Sequence, residues 1–249
     1  MAYLDDHPPR LRQFRDRGTT ASGVIVIHTA ESYPDESGPD GGAEAVARFI
    51  QGRTNYGSYH WLADSDSLIN VVRMDQQAYG DGTGSNPHAI HVSFACSAAD
   101  WPGMSAERKA AFIRNGAIAA KKASDYVYSI HGVHVPARRI TRAQSDQRVE
   151  GFISHGERDP GRRTDPGPAF PWADFLDTYA ALNQEDDMAN YADQLDDIQG
   201  GIDAILSGQA KAQRQNAAIR SKVTKLVKKG NATRADLEDV LAALDNEEN

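Results

Sequence analysis

Residues 24–32 read "VIVIHTAES". Val24 to Ile27 are four consecutive β-branched apolar residues, so both alternating faces of this segment are apolar. A strand of that kind is buried on both sides, as in the middle of an α/β sheet. It runs straight into His28, and the residues beyond are small or polar. An imidazole at the end of a buried strand is either a satisfied core histidine or a metal ligand, and the segment alone leaves both open.

Working outward, strands and helices alternate. "GAEAVARFIQG" (42–52) predicts a helix with Ala45, Val46, Phe49 and Ile50 on one face. Residues 58–64 and 67–73 are two β-rich runs separated by Ser65 and Asp66, which predicts a hairpin. "HAIHVSFAC" (88–96) predicts another strand, and residues 105–127 a long amphipathic helix with Ser105 as N-cap. The polar segment 141–168, rich in Arg, Asp, Gly and Pro, reads as a long functional loop. "FPWADFLDTYAAL" (170–182) closes the unit as a helix. The expected fold class is α/β, a central mixed β-sheet flanked by helices.

The chain of 249 residues suits one good-sized domain and a small appendage. A formal net charge of -8 argues against a nucleic-acid binder, which usually carries a basic face. One cysteine, Cys96, excludes an internal disulfide framework and a four-cysteine zinc site. The N-terminal residues are charged throughout, so no signal peptide is expected, and no stretch is apolar enough to insert in a membrane. Synthesis in the cytoplasm is expected, with action elsewhere requiring release.

Composition changes after residue 183. Residues 184–249 hold thirteen acidic and eight basic residues and one aromatic, Tyr191. Tyr191, Leu195, Ile198, Ile202 and Ile205 form a seam spaced 4, 3, 4, 3, of coiled-coil type if it continues. A second seam runs Ile219, Val223, Leu226. Gly230 is expected to end a helix and Thr233 to cap another. These features predict a small all-α C-terminal module, 184–249, of two or three short helices after a linker at "NQEDD" (183–187). Its seam suggests a homo-oligomer, with wall binding as the other use. Met188 offers an internal translation start.

Two histidines far apart, His28 and His155, and Asp165 in the long loop could supply three ligands and leave an open position, as a catalytic zinc requires. Equally, His155 is a loop residue and Asp165 a turn former before Pro-Gly. His131 and His134 make a poor chelate at their spacing, His91 reads as a satisfied sheet residue, His60 as the poorer ligand beside Tyr59, and His7 as exposed. Cys96 reads as a small buried hydrophobe.

Four segments in order, "VIVIHTA", "YGSYHWLAD", "NPHAIHVSFAC" and "TDPGPAFPW", span roughly residues 20–182 and resemble the zinc-dependent N-acetylmuramoyl-L-alanine amidase family. That family includes phage endolysins and peptidoglycan recognition proteins. The resemblance implies a catalytic domain over 1–183, one Zn²⁺ on His28, His155 and Asp165, catalytic Tyr59 and Arg163, and substrate contacts at Thr29 and Asn86. It implies a peptidoglycan substrate, cut between N-acetylmuramic acid and L-alanine, and a phage lysin held in the host cytoplasm until release. Two departures stand out. Arg163 replaces a frequent lysine, so it can hold an oxyanion but not trade a proton; Arg162 beside it could swap roles. The third strand lacks the carboxylate many relatives carry. Asn86 is also readable as an Asn-Pro turn. A non-catalytic recognition protein and a cytosolic recycling amidase are the competing functions.

Overall fold

The computed structural model describes residues 3–6, 13–32, 41–228 and 238–240. Its centre is a six-stranded mixed sheet in the order β1 (Tyr3–Asp6), β5 (Ser67–Asn70), β4 (Trp61–Ala63), β7 (Ile90–Phe94), β3 (Val24–Thr29), β8 (Gly151–Ser154). A separate two-stranded ribbon pairs β2 (Phe14–Asp16) with β6 (Gln76–Ala78). β3 lies between β7 and β8 and is parallel to both, every one of its residues buried. The run of β-branched residues reads correctly as an interior strand.

Alternation along β3 divides the core. Ile25 and Ile27 join the cluster beneath α2 (Ala106–His131), while Val24 and Val26 pack on the opposite face with Ile140 and Ile153. β7 divides the same way: Ile90, Val92 and Phe94 face α2. Each such buried side chain contributes about 1.5–3 kcal/mol. The Phe94 ring lies on Gly116 of α2, where a Cβ would stand 2.2 Å from it, so helix and sheet approach closely there. By the same parity His28, His91 and Ser93 belong to the other face.

The hairpin is present as antiparallel β4 and β5, its turn held by Asp64 Oδ1, which accepts from the Asp66 and Ser67 amides. Ser105 caps α2 by accepting from the Arg108 amide at 3.2 Å. α1 (Gly42–Gly52) has the expected bounds but a rotated face. Ala43, Val46, Ala47 and Ile50 are buried and Phe49 is exposed, because Glu44 turns inward to Ser67. Tyr59 and Trp61 do not share a face as strict alternation would have it. β4 begins at Trp61, which joins the α2 cluster, while Tyr59 precedes the strand and packs with the α1 cluster.

Segment 141–168 is not a plain loop. It contains α3 (Arg142–Asp146), β8 and α4 (His155–Arg158). β8 is four residues between charged neighbours, too short to show a period, yet it is buried throughout. The closing helix also exceeds its expected length: α5 runs Trp172–Lys228, and the expected linker 183–187 is helical. That stretch is polar but holds no Gly or Pro, and Asn183 donates to the Tyr179 carbonyl at 3.0 Å.

The chain divides into two compact units, residues 1–186 and 187–249. In the second unit both apolar seams lie on α5, and Ile202, Ile205, Leu206 and Ile219 are exposed. The expected Gly230 stop, the Thr233 cap and His7 fall outside the described residues. Among the described residues, no helix is long and apolar enough to cross a membrane.

Candidate metal centre and cleft

Parallel strands gather their carboxyl ends on one side of the sheet, where α/β folds place their sites. His28 stands near the end of β3. His155 follows β8 directly as the first residue of α4. A reciprocal capping box between Ser154 and Glu157 sets that helix start, so the chain turns immediately after the strand and presents the imidazole. Asp165 comes from the following loop, which folds back so that the Gly156 amide donates to the Asp165 carbonyl at 2.8 Å. A Cβ on Gly156 would lie 3.0 Å from the Thr164 backbone, so this approach needs a glycine.

These three side chains converge, all buried. His28 Nδ1 is 3.1 Å from His155 Nδ1 and 3.3 Å from Asp165 Oδ2, and His155 Nδ1 is 3.2 Å from Asp165 Oδ2. Ligands about 2.0–2.1 Å from a tetrahedral ion stand about 3.3 Å apart. The observed triangle has that size, and two imidazoles with one carboxylate are a donor set suited to zinc. The outward nitrogens are also engaged: His155 Nε2 lies 3.2 Å from the Asp81 carbonyl and His28 Nε2 lies 3.0 Å from His91 Nδ1. Ligand histidines are commonly held in this way. The residues present therefore fit a bound metal.

Electrostatics agree. Burial lowers the His28 pKa, with Asp165 opposing it, so the ring is neutral near pH 7. Burial alone would raise Asp165, but hydrogen bonds with His155 and His28 outweigh it and hold the carboxyl below its ordinary range. Tyr59 sits with its ring 5.0 Å from that of His28. Burial first, and then the Asp165 charge, push its phenol up to about 12, so it remains a proton-bearing donor.

The triangle opens into a cleft of about 330 Å³, lined among others by Thr29, Glu31, Tyr56, Tyr59, Arg162 and Arg163. Tyr56 is 67% exposed and lies tilted against Tyr79, ring centroids 4.6 Å apart. Arg162 pairs with Asp159, whereas Arg163 has no carboxylate partner among the described residues. Thr29 lines the cleft, but its hydroxyl donates to Glu31 at 2.6 Å. Asn86 is not among the lining residues. Its Oδ1 accepts from the Asp81 amide at 3.1 Å, a turn-holding role.

The remaining histidines disperse. His131 reaches the Ala21 carbonyl and His134 stacks on Tyr128, so they form no chelate. His60 is buried; its Nδ1 accepts from the His91 amide. Burial, and then Arg17, hold its pKa far below the usual imidazole value. Cys96 is buried with its thiol pushed up by burial, as an inert core residue. Sequence reasoning missed Asp81, Glu31 and the contact of His91 with His28. The parity of "HAIHVSF" was the available signal for the last: His91 and Ser93 alternate with the apolar residues and fall on the face of His28.

No protein-family model matches the sequence, and no curated protein matches it. Several solved structures do. One is a selenomethionine derivative of AmpD: TM-score 0.49, 17% identity, covering 72% of this chain and 95% of that one. Another is a mutant endolysin from Bacillus subtilis, at TM-score 0.48 and 16% identity over 72% of this chain and 99% of that one. A third is the N-acetylmuramoyl-L-alanine amidase LysC from Clostridium intestinale, at TM-score 0.39 and 13% identity over 74% and 99%. The chain is thus similar to solved amidases and endolysins, as its sequence motifs anticipate, at identities too low to carry residue roles across.

Proposed function

We propose that the protein is a zinc-dependent N-acetylmuramoyl-L-alanine amidase that hydrolyses the amide between the lactyl group of N-acetylmuramic acid and L-alanine, and that it serves as a phage endolysin. The observation that carries this reading is the buried triangle of His28, His155 and Asp165 at the floor of an open cleft. Zinc bound there would supply Lewis acidity and lower the pKa of water to about 7, which gives a nucleophile for a poorly electrophilic amide. His28, His155 and Asp165 would hold the ion, each offering one ligand atom.

Tyr59 donates a hydrogen bond to the substrate carbonyl oxygen as it gains negative charge. Arg163 faces the same charge and stays cationic at any working pH. It is preferred to Arg162 because Asp159 neutralises the latter. Thr29 contributes by fixing Glu31 at the cleft wall, and Asn86 by shaping the Asp81 turn. The exposed Tyr56 face suits a sugar ring. Residues 1–183 form the catalytic domain. Residues 184–249 serve self-association through their apolar seam.

The test incubates the purified protein with peptidoglycan, with and without chelator, and identifies the new ends. Free N-terminal L-alanine that disappears with chelator, returns with zinc and is absent with His28→Ala is the expected result. New reducing sugars, or binding without cleavage, would refute the amidase reading.

A further inference from the structure

The metal reading leaves His91 without a role, yet its surroundings are specific. The residue is fully buried on β7, on the same sheet face as His28. Its ring has two close neighbours. The His60 ring lies nearly parallel to it, 7° between planes and 5.7 Å between centroids. Gly80 leaves room for the ring, since a Cβ there would stand 2.3 Å from His91 Nδ1. The ring meets one polar group of the metal centre, with Nδ1 3.0 Å from His28 Nε2.

Two imidazole nitrogens at that distance share one proton. For His28 Nδ1 to face the ion as a lone pair, the His28 proton must reside on Nε2, and His91 Nδ1 must accept it. The Asp81 carbonyl plays the equivalent part for His155. We propose that His91 is a positioning residue: it fixes His28 in the Nε2–H tautomer and aims its Nδ1 lone pair at the metal site. This rests on the zinc reading above. It departs from the common arrangement in using a neutral imidazole, in place of a carboxylate or carbonyl, as the acceptor.

The test measures zinc affinity of the full chain by competition with a chromogenic chelator. His91→Phe keeps a ring beside His60 and Gly80 but offers no acceptor; His91→Asn places an amide oxygen where Nδ1 stood. Loss of an outer partner of a metal ligand weakens binding about 10–100-fold. We expect a loss of that size in His91→Phe and near wild-type affinity in His91→Asn, with both metal-free variants melting as cooperatively as the wild type. Equal affinity in His91→Phe and wild type overturns the proposal. So does equal weakness in both variants, which would make His91 a space-filling residue. Should the variants fail to fold, long-range ¹H–¹⁵N spectra of the histidine rings in zinc-loaded wild type read the tautomer directly, and a proton on His28 Nδ1 overturns it. A wild type that binds no zinc, unchanged by His28→Ala, refutes the metal reading itself and the proposal with it.

Discussion

Gly156→Ala tests whether the metal centre depends on how closely the 159–167 loop lies on α4. The added Cβ would stand 3.0 Å from the Thr164 carbonyl carbon and 3.1 Å from its Cα and oxygen. All three are backbone atoms, so no side chain can swing aside. Restoring an ordinary carbon contact of about 3.5 Å requires the loop to withdraw by roughly half an ångström. Asp165 adjoins Thr164 and moves with it, while a metal site tolerates only about ±0.2 Å in its ligand distances. Overpacking costs about 1–3 kcal/mol, and the gain in helix propensity from Gly to Ala returns at most about 1 kcal/mol. The expected result is a modest fall in Tm and a much larger fall in zinc affinity, read by chelator competition. Gly161→Ala, in the same loop with nothing within 4 Å of its Cβ, is the control and should change neither. If Gly156→Ala binds zinc as the wild type does, the loop's close approach does not set Asp165, and the account of how that ligand is positioned is wrong.

Two further outcomes are expected. Tyr59→Phe keeps the ring against His28 and removes the donor; kcat should fall about 10²–10³-fold with KM little changed, as for loss of one oxyanion donor, and unchanged steady-state kinetics would remove Tyr59 from the mechanism. Stability of the metal-free protein should decline in acid. His60 and His91 are held well below 6.5 and His88 at about 4, in each case chiefly by burial. As pH falls through 6.5 the unfolded chain takes up protons before the folded one, so stability present above that pH is lost toward pH 4, by up to ~1.4 kcal/mol per pH unit per group. Denaturant midpoints across pH 4–7.5 measure this, and a flat profile would mean these rings are not buried neutral.

Much of the fold was legible because its strongest signals are local. Val24–Ile27 announces an interior strand, Ser105 a helix start, and Ser65-Asp66 a turn. Segment 141–168 was not legible for an opposite reason. β8 is four residues long, and its burial is created by β3, more than a hundred residues away. The run 183–187 reads as a linker because it is charged, but charge does not stop a helix; Gly and Pro do, and it has neither. At the site, two histidines and an aspartate could be nominated from chemistry, yet their convergence depends on Gly156 and a capping box whose meaning appears once β8 is known. Asn86 illustrates the converse: "NP" satisfies both a cleft contact and a turn, and its Oδ1 accepts from the Asp81 amide.

The composition of the buried cluster bears on what it can bind. His28, His60 and His91 are kept neutral by burial, so they add bulk and hydrogen-bonding capacity to the sheet face without adding charge. Asp165 brings negative charge to the metal triangle. A divalent ion held by this set leaves a net charge near +1, and Arg163 adds another at the cleft wall. The floor of the cleft then carries positive charge, with Glu31 and Asp81 also in the lining. Positive charge at that position stabilises a group that becomes negative during reaction. A neutral amide that passes through an oxyanion meets that condition.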